Sequence, residues 1–181
     1  MKSFPNRHPL PFLFLAILGL LAALWAGLMP LGWQLPALTP SLALAHGPLM
    51  ISGFLGTLIT LERAVAMQKK WMYLPPLLAG LGWLVTVLIP SPPLGPILLT
   101  LASALTVGIL VVIVRREPAL YTVTMLVGVL LWLAANLLWL GGRSVFQVVY
   151  GWQAFLILTI AGERLELSRV LRPAPQQIRA F

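Results

Sequence analysis

Hydrophobic residues in this chain run in long blocks, and the length of those blocks predicts the architecture. A helix that crosses a bilayer needs roughly 20 consecutive, mostly apolar residues. Six blocks meet that length: Leu10–Leu31, Leu42–Met67, Trp71–Ile89, Leu94–Val114, Ala119–Leu140 and Phe146–Leu167. The joining segments are short and carry residues that stop helices, namely Pro36 and Pro40, the run Pro90-Ser-Pro-Pro-Leu-Gly-Pro96, and Gly141-Gly142. No segment is long enough for a separate soluble domain. Residues 1–181 are therefore expected to form one all-α, polytopic domain, a six-helix transmembrane bundle.

Composition agrees. Sixty per cent of the 181 residues are apolar and 9% are charged, against about a quarter charged in soluble domains, so neither a soluble nor a disordered chain is expected. Cysteine is absent, which excludes disulfides, thiolate metal sites, Fe–S clusters and covalently attached c-type haem. Aspartate is absent too, and Glu62, Glu117, Glu163 and Glu166 are the only acids.

The net charge of +8 would suggest a nucleic-acid binder, but its placement points elsewhere. Lys2, Arg7, Arg63, Lys69, Lys70, Arg115, Arg116, Arg164, Arg169, Arg172 and Arg179 fall at one end of the spans; Arg143 alone falls at the other. Eleven cations against one predict a multi-pass protein of the inner (plasma) membrane with both termini in the cytoplasm. The lipid bilayer, and no nucleic acid, is the expected partner. Trp33, Trp139 and Trp152 near outer ends, and Trp71 and Tyr73 near an inner one, read as interfacial anchors.

The second block carries the candidate chemistry. An ionisable group inside a bilayer is costly and marks a functional position by default. His46 lies four or five residues into this block, roughly 7 Å below the outer boundary at 1.5 Å per residue. On an α-helix His46, Met50, Gly53, Thr57 and Thr60 share one face. Gly53 would leave a bare surface there for a planar cofactor or for another helix. Ser52, Gly56 and Thr60 also form a small-xxx-small stripe of the kind that packs helices.

The stretch His46-Gly-Pro-Leu-Met50-Ile-Ser-Gly53-Phe54 resembles the second helix of haem–copper oxidase subunit I. It is more similar to NnrS-type haem-binding membrane proteins, which are linked to nitric oxide stress. The resemblance implies a membrane protein holding haem b, with His46 as its axial metal ligand near the outer face and Met50 and Gly53 beside it. It implies electron transfer or the binding of a small gas such as oxygen or nitric oxide. The chain has only two histidines, His46 and His8, so the family's three-histidine copper centre is excluded. A second copy in a homodimer would bring a second His46 to the haem.

Asn136, Gln147, Tyr150 and Gln153 are the other polar residues at that depth, on the helix-five and helix-six hairpin. They either line one pocket with His46, as cofactor-binding residues, or satisfy each other at the interface. At the opposite end, Glu62-Arg63 and Glu163-Arg164 recur 101 residues apart, within a match that also includes Phe54-Leu55 and Ile59 against Phe155-Leu156 and Ile160. Helices two and six run parallel, so a reciprocal clamp is expected: Glu62 with Arg164, and Glu163 with Arg63. Its alternative is the entrance of a proton or ion path. Glu166 and Arg169 have the spacing of an ordinary surface pair.

Two readings of function follow. One is a haem-binding membrane protein using His46, not a stand-alone enzyme. The other is a cofactor-free transporter, channel or accessory subunit of a larger membrane complex.

Overall fold

The computed structural model describes residues 9–36, 42–89 and 93–170. Lys2, Arg7, His8, Pro40, Pro90, Arg172 and Arg179 lie outside them. All described elements are helical. Helix α1 (Leu10–Leu28) ends in a 3-10 turn, Met29–Leu31. A second 3-10 turn (Leu42–Ala45) opens the next span, which continues as α2 (His46–Pro48), a π-helical segment (Leu49–Leu55) and α3 (Gly56–Met67). Then come a 3-10 turn (Lys70–Tyr73), α4 (Leu74–Leu88), α5 (Leu94–Arg116), α6 (Leu120–Leu140) and α7 (Val145–Val170).

Six stretches are long and apolar enough to cross a membrane: Leu10–Leu31, Leu42–Met67, Lys70–Leu88, Leu94–Arg116, Leu120–Leu140 and Val145–Arg169. Each end falls within two residues of the block read from the sequence. Helices α4 to α7 pack each against the next, whereas α1 leans on the second span and α4. The second span is the most enclosed, 50% buried over its most apolar stretch against 22% for the first. It is the column around which the others stand.

The π segment is what makes this column unlike a regular helix. The Gly56 N–H donates to the Ile51 carbonyl, five residues back instead of four, which widens the turn. Pro48, just before it, has no N–H to give to the ladder. Two indoles dock on the widened turn. A methyl added to Gly53 would lie 2.8 Å from Trp83 Cβ, and one added to Gly56 would lie 2.7 Å from Trp132 Cζ2. The expected common face of His46, Met50, Gly53, Thr57 and Thr60 is therefore broken, because five-residue bonding rotates everything after Ile51 relative to His46. The bare surface at Gly53 is covered by Trp83 of α4. Of the two alternatives read for that glycine, helix packing is the one found.

Thr57 and Thr60, both fully buried, turn their hydroxyls back to the carbonyls of Gly53 and Gly56. Ser52 instead faces α6. Trp132 Nε1 donates to Ser52 Oγ at 2.9 Å, and Ser52 Oγ donates to Asn136 Oδ1 at 3.4 Å. Asn136 Oδ1 also accepts from Trp152 Nε1 at 2.9 Å, while Asn136 Nδ2 donates to Ser103 Oγ at 3.2 Å and to the Leu99 carbonyl at 3.3 Å. Two lone pairs and two protons on one amide are all used, so a wholly buried asparagine sits in the core with its polar capacity filled. Trp152, expected as an interfacial anchor, is fully buried here because its N–H has this internal partner; Trp139 stacks edge-on against it at 5.6 Å. Trp33 and Trp71 are exposed at span ends, as expected of anchors.

Replacing Asn136 with Ala leaves Trp152 Nε1 without an acceptor in a dry core. The expected loss is about 1–3 kcal/mol, measured as unfolding of the purified protein in detergent. Asn136→Asp should not restore stability, because a carboxylate has no proton for the Leu99 carbonyl.

Candidate functional site

His46 is half-buried at the mouth of the second span, where α1 ends and α7 begins. Its position depends on a glycine. In an α-helix the Ala23 carbonyl is bonded by the N–H of residue 27, and residue 27 is Gly, so no side chain covers that bond. The imidazole lies in the gap, and a methyl on Gly27 would come within 2.6 Å of Nδ1. His46 Nδ1 is 2.7 Å from the Ala23 carbonyl. A carbonyl only accepts, so Nδ1 carries a proton, and in the neutral ring the lone pair is on Nε2. Nε2 takes part in no hydrogen bond with the described residues.

His46 forms one wall of a cavity of about 430 Å³, shared with Gly27, Pro30, Leu44, Val145, Phe146 and Val149. That volume lies in the ~300–1,000 Å³ range of small-molecule sites. Every other side chain named there is apolar. A neighbouring cavity of about 320 Å³ lies behind Leu44, Val145 and Phe146, and is lined by Trp139, Arg143 and Ser144. Arg143, which stood out in the sequence only as the one cation on its side, thus lies next to the histidine chamber.

The other residues expected beside His46 are elsewhere. Asn136 is committed to the core network described above. Gln147 folds back on its own helix start, where its Oε1 accepts from the Ser144 N–H at 3.1 Å. Tyr150 and Gln153 are exposed on the outer face of α7. Met50 is packed between the two main apolar clusters. Of the expected set, His46 alone lines the cavity; its actual neighbours, Gly27, Val145 and Val149, are small and apolar and gave no chemical signal in the sequence.

His46 is the one metal-ligating side chain in the lining of this cavity. Among the described residues no three His, Cys, Asp or Glu side chains come together as a metal-holding set. A haem brings four nitrogen ligands of its own and needs a single protein atom, a neutral imidazole nitrogen held from behind. His46 with its Ala23 hydrogen bond is that arrangement. The apolar cavity walls also suit a porphyrin edge.

At the far end of the bundle the ion pairs differ from the expected clamp. Arg63, only 12% exposed, is surrounded by three carboxylates: Glu163 at 3.2 Å, Glu62 at 3.3 Å and Glu166 at 3.5 Å. The Glu163–Arg63 half of the clamp is present. The Glu62–Arg164 half is not, because Arg164 points outward while the long Arg63 side chain curls back to its own neighbour. The expected Glu166–Arg169 pair is also replaced. Glu166 turns to Arg63, and Arg169 bonds Glu117 and donates to Tyr121 Oη at 2.8 Å. The pairing follows burial, since an enclosed guanidinium needs acceptors on every side while Arg164 is hydrated. The repeat seen in the sequence is thus not a symmetry of the contacts.

Residues 9–181 match the model of a family described as a domain of unknown function (DUF8744). That is nearly the whole chain. No curated protein and no solved structure matches it.

Two predictions arise from the charged end. Arg63→Met leaves three carboxylates facing one another without their cation, and should destabilise the bundle by about 3 kcal/mol or more in detergent unfolding; adding Glu163→Gln should recover part of it. Glu117 lies between spans, and the hydroxyl of Tyr121, with the Arg169 guanidinium, holds its carboxyl below the usual carboxylate range. Such a group stabilises the fold above its unfolded pKa and loses that contribution as pH falls through the lowered value. The melting temperature of Glu117→Gln should thus sit slightly below wild type at neutral pH and converge with it in acid.

Proposed function

We propose that this chain, which belongs to the DUF8744 family, is a membrane haem protein with His46 as axial ligand. The observation that carries the reading is the hydrogen bond behind His46: with Nδ1 donating to the Ala23 carbonyl, the neutral ring keeps its lone pair on Nε2, and the imidazole lines an apolar cavity. A protonated or freely rotating imidazole would be a poor ligand. One bonded from behind is held in orientation and is more basic at Nε2. The bound haem would supply a redox-active iron with a coordination position open to a small gas such as oxygen or nitric oxide.

The chain's own residues do the rest. His46 holds the group, and Ala23 fixes the plane of the imidazole. Val145, Phe146 and Val149 keep water from the ligand atom. Arg143, exposed in the adjoining cavity, offers the positive charge that a haem carboxylate requires. Seven of the eight described cations, Arg143 being the exception, flank the span ends on the Arg63 side, which favours a multi-pass plasma-membrane topology with that end and both termini in the cytoplasm, and the His46 cavity toward the outer face. The same placement argues against a nucleic-acid partner.

Protein purified from haem-replete cells should carry a Soret band and give a b-type pyridine haemochrome. His46→Ala should abolish it, and Gly27→Ala, whose methyl intrudes on the imidazole, should weaken it. A colourless wild type, or an unchanged spectrum in His46→Ala, would overturn the reading. It would leave the cofactor-free transporter, channel or accessory subunit.

A further inference from the structure

Helix α7 has one feature that the core does not use. Counting from its first turn, Phe146, Tyr150, Gln153, Ile157 and Ile160 follow steps of four, three, four and three residues, and every one of them is exposed. Ile157 and Ile160 are 66% and 55% exposed, and Phe146 and Tyr150 more so. This is the spacing of a two-helix seam, in which the apolar knobs of one helix enter the holes of a second.

Gln153 makes the seam more than a lipid-facing stripe. It lies eight residues into α7, about 12 Å along the helix from its start. It is exposed and takes part in no hydrogen bond with the described residues. Two exposed hydroxyls within the spans have local partners, Thr124 donating to the Leu120 carbonyl and Ser168 to the Leu165 carbonyl, whereas the Tyr150 hydroxyl, nearer the start of α7, has none among the described residues. A primary amide cannot satisfy itself this way. In hydrocarbon, with no water to bond it, both its donor and its acceptor are left costly.

We infer that α7 is the interface of a parallel, two-fold symmetric homodimer, in which Gln153 hydrogen-bonds Gln153 of a second copy. Three features select that occupant. A primary amide is self-complementary, giving one N–H and taking one at the same time, so a second copy supplies the missing partner by symmetry alone. All copies insert with the same orientation, so two α7 helices meet in parallel and in register. The seam also stops where symmetry requires, because Arg164 is next in the spacing and two arginines across a two-fold axis repel.

A single polar residue within such a seam sets the register at which the two helices pair. The outer end of the seam is Phe146, which also lines the His46 cavity. The dimer contact therefore reaches one wall of that cavity. The inference does not depend on what the cavity holds.

The chain has no cysteine, so one introduced thiol reports the contact directly. In lipid nanodiscs or mild detergent, Ile157→Cys should form a disulfide-linked dimer on oxidation, while Leu130→Cys, equally lipid-facing on α6, should not. Dimer affinity, followed by energy transfer between labelled copies, should be about three- to tenfold weaker in Gln153→Leu and close to wild type in Gln153→Asn. Unfolding of the same variants shows that the fold is intact, since Gln153 is exposed and makes no hydrogen bond with the described residues. A monomeric wild type, equal dimerisation of Gln153→Leu, indiscriminate cross-linking, or recovery of the chain only in complex with a different protein would each overturn the inference.

Discussion

Two tryptophans meet the second span where it has only glycine to offer, and the remaining geometry depends on that fit. Trp83 from α4 lies over Gly53, and Trp132 from α6 over Gly56, so the column is gripped on two sides within one turn. A side chain at either glycine would push α4 or α6 away. The π segment accommodates the grip: bonding from Gly56 to Ile51 gives a wider turn than an α-helix. Trp132 gains a hydrogen bond to Ser52, whereas Trp83 Nε1 is buried without an acceptor among the described residues. The bundle therefore tolerates one orphaned donor to keep an indole packed against backbone.

From that grip the two ends acquire different chemistry. Above the π segment the column enters as a short 3-10 turn and α2, placing His46 against the glycine notch of α1 rather than in the core. Below it α3 is regular, and its last turns deliver Arg63 to the acids of α7. Between the ends, the Asn136 network ties the column to α5, α6 and α7 with no free polar atom on that amide. Polar function is confined to the ends because an interior donor or acceptor is costly unless protein meets it, and only Trp83 Nε1 and Thr159 Oγ1 are buried without a partner among the described residues.

The spans were legible in the sequence because their signal is length and apolarity, which do not depend on neighbours. Helix faces were not, because the 3.6-residue count fails once a π turn intervenes, and the glycine and tryptophan contacts that favour it are between helices. His46 stood out since an ionisable group in an apolar block is rare by cost alone. Its true surroundings, Gly27, Val145 and Val149, are ordinary residues that acquire meaning only through contact. Asn136 was visible as a polar residue in an apolar block, but neither its complete burial nor the helices that satisfy it could be read there. The acid–base pairing misled for a related reason. Sequence spacing ranks partners within a helix, while Arg63 found its partners by being enclosed.

The two glycines facing aromatic rings on the second span and the one glycine facing an imidazole on α1 use the same device for different ends. At Gly53 and Gly56 the missing side chain lets an indole close on backbone, which excludes everything else. At Gly27 it lets an imbedded imidazole reach a carbonyl that is already bonded, which spends one ring nitrogen and leaves the other open. Were His46 simply a satisfied core residue, a second acceptor or a closed wall on its Nε2 side would be expected, as Asn136 has on all sides. Instead Nε2 has no hydrogen-bond partner among the described residues, and the imidazole lines a cavity. That asymmetry between a fully bonded asparagine and a half-bonded histidine, in a chain that otherwise confines its polar groups so strictly, is the physical reason to look for a ligand at His46 and not in the middle of the bundle.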